Sequence, residues 1–182
     1  MVLLTEQDDR ALVQRSIHGD RVAFEQLVVR YQKPVYNVAL RLLRDAEEAK
    51  DIAQTTFLNV YEHLKDYDQA YKFYSWIYRI AINESLTVLG RRKSFEPISG
   101  TELDESPGPD LEAEGDETRG AIEDALMRLT PELRAVVVLR HVMQLSYEDM
   151  AETLALPEKT VKSRLYSARQ QLRCILAQQG AV

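Results

Sequence analysis

Five basic side chains, Lys159, Lys162, Arg164, Arg169 and Arg173, fall between Pro157 and Arg173 against a single acid, Glu158. Interleaved with them stand Thr160, Ser163, Tyr166 and Ser167, whose hydroxyls both donate and accept hydrogen bonds. Cations that meet phosphates, beside groups able to meet base edges, are what a helix needs in order to read a DNA groove. A second group has a different chemistry. Tyr67, Tyr71, Phe73, Tyr74, Trp76 and Tyr78 crowd six aromatic rings into twelve residues, and Arg79, Asn83, Arg91, Arg92 and Lys93 follow. Ring faces stack on unpaired bases while cations follow the phosphates, so this segment suits single-stranded nucleic acid. It suits a buried aromatic cluster with a basic helix end equally well.

Other chemistries find no support. His18, His63 and His141 are scattered without metal-ligand spacing, Cys174 has no second thiol, and there is no Gly-rich phosphate loop. We therefore expect no catalytic residue, no metal and no cofactor. One cysteine fits a reducing cytosol. The N-terminus turns acidic after four residues, and no apolar run nears the roughly 18 residues that span a bilayer, so neither an export signal nor a membrane anchor is expected.

The elements that must position these groups are helical. Ser146 can cap a helix running through Leu154, with Asp149 three residues on as its capping-box partner. Pro157 interrupts, and a second helix runs from about Glu158 to near Gln178. Two helices joined by so short a turn fit a helix-turn-helix, with small Ala151 at the crossing, Leu154 and Leu156 flanking the turn, and Val161 and Leu165 facing inward. Ala155 occupies the turn position where Gly is common; a positive φ there carries a steric cost, which a tighter local geometry would avoid. Upstream, Thr130 as cap and Pro131 at the first helical position mark another clear helix start.

In the N-terminal half, Gly19 closes a short helix and Asp20 can cap the next. That helix places Phe24, Leu27, Val28, Tyr31, Val35, Val38, Ala39 and Leu42 on one face, and Pro34 should kink or split it. Asp45 caps a third helix with an inner stripe of Ala49, Ile52, Ala53, Phe57, Val60 and Leu64. Glu48, Asp51, Thr55 and Asn59 form a polar stripe opposite, which by itself is a solvated face.

Charge is divided unevenly. The chain of 182 residues has net charge −6, yet residues 1–98 are balanced, 99–120 carry net −7 and 121–182 net +1. The acidic stretch "SGTELDESPGPDLEAEGDETRG" has two Pro and four Gly and no period of either kind, so it reads as a linker. The expected architecture is all-α: helical domains at 1–98 and 121–182, joined by a flexible acidic linker at 99–120, the second containing the helix-turn-helix.

Taken together, "DAEEAKDIAQTTFLNVY", "FYSWIYRIAINESL" followed by "GRRK", and "LTPELRAVVVLRHVMQLSYEDMAETLALPEKTVKSRLYSAR" resemble the extracytoplasmic-function (ECF) group of bacterial sigma-70 family sigma factors. The resemblance covers nearly the whole chain. It implies a cytoplasmic, non-enzymatic subunit that binds core RNA polymerase and directs promoter-specific initiation. By the same resemblance, Asp45, Glu48, Asp51, Gln54, Thr55 and Asn59 lie on or near the surface that docks on the β′ clamp helices. Asp68, Gln69, Ala70, Tyr71, Lys72 and Phe73 match a loop that holds a flipped-out base of the promoter −10 element. Asn83 matches a contact to the melted non-template strand, and Arg79, Arg91, Arg92 and Lys93 suit phosphates. In the second domain, Lys162, Ser163, Tyr166 and Ser167 match positions that contact the −35 element, with Arg140, Tyr147, Glu148, Thr160 and Arg164 flanking them, and this domain also docks on the β flap. An anti-sigma factor is the further partner implied, and with it exposed apolar surface on both domains. The family's usual pattern is broken at "QAYKF" in the loop and at Ser167, where a longer basic side chain is frequent. A helix-turn-helix regulator with an N-terminal sensing or dimerising domain would explain the second domain but leaves the polar stripe and the aromatic-basic segment unassigned.

Overall fold

The computed structural model describes residues 6–95 and 116–178, and every regular element among them is helical. The first half comprises α1 (Glu6–Ile17), α2 (Arg21–Leu43), α3 (Ala46–His63), a 3-10 turn (Leu64–Asp66) and α4 (Phe73–Phe95). The second comprises α5 (Asp116–Met127), α6 (Pro131–Val137), a π-helical continuation (Val138–Val142), α7 (Tyr147–Leu154) and α8 (Glu158–Gln178). Most of the acidic stretch 99–120 lies outside the described residues; α5 begins inside it, at Asp116.

Local chemistry sets the boundaries. Asp20 accepts from the Ala23 amide and Asp45 from the Glu48 amide, so two carboxylates satisfy otherwise orphaned N–H groups at the starts of α2 and α3. α2 runs through Pro34 as one helix of 23 residues. It is not split, because a buried stripe of Leu27, Tyr31, Val35, Val38 and Leu42 continues on both sides of the proline and holds the axis together. Ser146 and Asp149 form the reciprocal capping box, each side chain accepting from the other's amide.

α2 is the central helix, packed against α1, α3 and α4. Buried Asp9 on α1 accepts from Arg30 and from the Tyr31 hydroxyl, tying α1 to α2 across their interface. In the second half α8 packs on α5, α6 and α7. One contiguous apolar cluster includes Leu27, Tyr31 and Ile77 from the first half and Val136, Met150 and Leu165 from the second. The two halves therefore meet face to face.

Candidate nucleic-acid interface

The helix-turn-helix forms where the sequence places it. Val161, Leu165 and Ala168 are fully buried on the inner side of α8, while Lys162, Ser163, Tyr166 and Ser167 are exposed on the outer side. Inward apolar residues every three or four positions leave the polar set on one outward stripe. Thr160 and Arg164 are half-buried at its edges. Between α7 and α8, Ala155 takes φ 51°, ψ 44°, so the chain does adopt the left-handed conformation without a glycine. The Leu156 amide donates to the Ala151 carbonyl at 3.0 Å, which closes the end of α7 and offsets part of that steric cost.

Tyr147, at the start of α7, is flanked by two cations: the Arg140 guanidinium lies 5.0 Å and the Lys162 ammonium 5.2 Å from its ring centre. Lys162 also pairs with Glu158 one turn back, and Arg140 donates to the Leu145 carbonyl at 2.7 Å. The ring and these partners hold two flexible side chains near one face of the domain. Glu148 is exposed beside them. His141 lies between like charges; burial and the neighbouring Arg169 and Arg140 depress its pKa, so it favours the neutral ring.

The aromatic segment resolves mainly as core. Phe73 and Tyr78 pack edge-on against Tyr31 at 5.3 and 6.3 Å, and Tyr67 and Trp76 stack around Phe73. Phe73 is buried, which places it beneath the 68–73 loop as support. Burial pushes the Tyr67 hydroxyl up to about 12, while that hydroxyl donates to the Tyr71 carbonyl and so fixes the loop from below. Only Tyr71 of the six rings is largely exposed, at 48%. Asp68 accepts from the Ala70 amide at 2.9 Å, a local turn that presents Asp68, Gln69, Ala70 and Tyr71 to solvent. Asp9, Arg10, Tyr67, Tyr71, Lys72 and Phe73 line a small recess at its base.

The remaining groups of α4 separate. Asn83 and Arg91 are exposed. Arg92 is bound to Glu48 and donates to the Leu43 carbonyl, so it joins the helix end to the polar stripe of α3. The Lys93 side chain lies outside the described residues. On α3, Asp51 and Gln54 are exposed and Thr55 half-exposed, Asp45 serves as helix cap, and Asn59 donates to Glu84 at 3.1 Å. Next to this stripe Leu58 and Tyr61 stand 63% and 61% exposed. Their helical period places them outward, beside the polar residues of the same helix. Val22 and Val29 on α2 and Ile122 and Val142 in the second half are also exposed.

Lys72 and Arg79 are drawn into contacts that the sequence does not reveal. The Lys72 amide donates to Glu152 and its ammonium to Asp149, both at 2.8 Å. Arg79 donates to the backbone carbonyls of Glu152 and Thr153 at the end of α7. On the other flank Arg41 pairs with Glu123 and Arg44 with Asp124. Between them Arg134, 4% exposed, donates to the carbonyls of Leu42, Leu126, Met127 and Leu129. These are the C-terminal ends of α2 and α5, where the helix dipoles supply partial negative charge. Burial, with Arg92 nearby, brings the Arg134 pKa down to about 10, so it remains charged at neutral pH.

Two family models match the chain: Sigma-70 region 2 over residues 27–95 and Sigma-70 region 4 over residues 119–172. The RNA polymerase sigma-H factor of Pseudomonas aeruginosa is 33% identical over 92% of this chain and 93% of its own. The ECF RNA polymerase sigma-E factor of Haemophilus influenzae is 34% identical over 90% of this chain and 93% of its own. Among solved structures, CnrH in complex with the cytosolic domain of CnrY matches with a TM-score of 0.72 at 24% identity, over 93% of this chain and 97% of that one, and shares the fold. The two matched regions fall one within each helical half, and identity at this level extends across both. The chain belongs to the sigma-70 family and is an RNA polymerase sigma factor of the ECF group.

Proposed function

We propose that the two halves are separate promoter readers that act together only when mounted on core RNA polymerase. The first half docks through the face of α3 bearing Asp51, Gln54 and Thr55, extended by Leu58 and Tyr61, on the β′ clamp helices. Its 68–71 turn and Asn83 take the melted non-template strand of the −10 element, with Arg79, Arg91 and Lys93 toward phosphates. The second half lays α8 in the major groove of the −35 element through Lys162, Ser163, Tyr166 and Ser167, and it docks on the β flap.

The observation that carries this reading is the outward stripe of α8, held rigidly from behind by Val161, Leu165 and Ala168. Each reader alone has few base contacts and binds weakly. Fixing both on one enzyme raises the effective concentration of the second contact. Melting costs a few kcal/mol for each extruded base, and capture by the 68–71 turn offsets it. The protein performs no covalent chemistry of its own. The exposed apolar residues on both halves suit an anti-sigma factor as a competitor of polymerase; the sigma factor RpoE of the complex with the anti-sigma factor NepR from Bartonella quintana shares this fold at a TM-score of 0.65.

Core polymerase reconstituted with the chain should give transcripts from promoters mapped by start sites after induced expression in cells, and core alone should not. Absence of any open promoter with the reconstituted enzyme would sink the reading.

A further inference from the structure

We propose that Arg140, His141 and Arg169 form a site for one phosphodiester at the edge of the −35 duplex, which His141 joins as its imidazolium, so that binding takes up a proton. The inference deepens the promoter-reading role proposed above and rests on it.

The three side chains come from two elements. Arg140 and His141 lie on the π-helical turn that continues α6, and α6 packs on α8, which carries Arg169. Along α8, Arg169 follows Lys162 and Tyr166 at steps of four and three, so it extends the outward face that bears the base-reading side chains. Arg140 is tied to the same face through the Tyr147 ring, which Lys162 also approaches. His141, within electrostatic reach of Arg140 and Arg169, therefore stands beside the reading helix, where the backbone that bounds a groove would pass.

The charges there are out of balance. Arg140 donates to the Leu145 carbonyl, which leaves its charge uncompensated. His141 and Arg169 are exposed and have no hydrogen-bond or ion-pair partner among the described residues. Both guanidinium groups act on the His141 ring, and α2 and α7, which pack on the same turn, bring no acid to bear on it. Two permanent cations thus flank a titratable ring without a counter-charge, and like charges so placed repel one another. A phosphate relieves that repulsion by accepting from the guanidinium groups and from an imidazolium. Cationic donors without an acceptor suit phosphate oxygens, not the mixed donors and acceptors of a base edge.

In the free chain, partial burial and the two arginines hold the ring below its ordinary 6.5, so it is neutral at physiological pH. A bound phosphate raises that value. Between the free and the bound value the complex holds a proton that the free protein lacks. Affinity for the duplex therefore rises as pH falls through this window and levels off below it.

The test uses holoenzyme reconstituted from core polymerase and the full-length chain, with a labelled duplex that carries a mapped −35 element and no −10 element. Fluorescence anisotropy reads its affinity at about pH 6 and about pH 8. Wild type should bind about fivefold more tightly at the lower pH, the ratio for a bound value roughly one unit above the free one. His141→Gln should bind weakly at both and His141→Lys tightly at both, while His18→Gln, in the first half, keeps the wild-type ratio. Neutral methylphosphonates substituted one phosphate at a time should abolish the wild-type ratio at one position. An unchanged ratio in His141→Gln would overturn the contact, and so would a ratio that survives every methylphosphonate. Thermal melting checks folding, and where His141→Gln is not folded His141→Lys decides alone, since a permanent cation must also remove the ratio. A scrambled −35 duplex separates this contact from the role it rests on. Preference for the true element with an unchanged ratio in the variants removes only the His141 site, whereas no preference at either pH removes both.

Discussion

Ala155 and Arg134 show how much of this molecule is settled by single residues. Ala155 turns the chain between α7 and α8 at φ 51°, where a Cβ crowds the backbone by about 1–2 kcal/mol. Ala155→Gly should therefore raise stability by about 1 kcal/mol, read as a higher urea midpoint at unchanged slope, and a β-branched residue there should lower it. Arg134 satisfies four carbonyls from two separate chain segments, Leu42 on one side and Leu126 to Leu129 on the other. Arg134→Met keeps the length and loses every donor, so it should cost roughly 3 kcal/mol in denaturant titrations. The capping box was legible in sequence because Ser146 and Asp149 are neighbours. Arg134 was not, since its partners lie up to 92 residues away. Thr56 was missed for a related reason: its polarity argues for the surface, yet α3 turns it fully inward.

At the scale of the element, α8 and α4 present opposite outcomes for similar sequence signals. In α8, strict burial of every third or fourth position leaves the polar residues no choice but solvent. Lys162→Ala with Tyr166→Ala should reduce binding to −35 duplex about a hundredfold while sparing association with polymerase, as measured by anisotropy and by pull-down; equal loss of both would show that one face cannot be assigned to DNA. Around the start of α4 the clustered rings are consistent with stacking on bases or with a core, and packing against α1 and α2 buries Tyr67, Phe73 and Tyr78 fully and Tyr74 and Trp76 in part, leaving Tyr71 exposed. Asn83 remains exposed. Asn83→Ala should leave closed-complex formation intact and lower permanganate reactivity at the −10 element several-fold, because a lost contact to the separated strand acts only after melting.

For the whole molecule, the important feature is the seam between the halves. Burial works to raise the Asp149 carboxyl, but hydrogen bonds from Lys72, Ser146 and Tyr74 outweigh it and hold that group below its usual value of 3.8. A carboxylate whose folded pKa is depressed stabilises the protein fully above that value, and the contribution is lost as pH falls through the folded pKa. Denaturation at successively lower pH should thus show a steeper loss for wild type than for Lys72→Met, which lacks the main partner of that carboxylate. Parallel curves for the two proteins would show that the pair adds nothing to the seam.

Sequence by itself determined the helical class, the positions of most caps, the helix-turn-helix and the family, because these depend on periodicities of three to four residues and on motifs read within a few positions. It also exposed the acidic stretch that separates the halves. Tertiary structure decided which rings are core, that α2 passes through Pro34 unbroken, and that Lys72, Arg79 and Arg92 are held by partners from other helices. Those outcomes depend on oxygens brought within hydrogen-bonding reach from some 44 to 80 residues away. No local pattern encodes such pairings, since charge and length of a side chain are the same whether its partner is a phosphate, a carboxylate or a helix end.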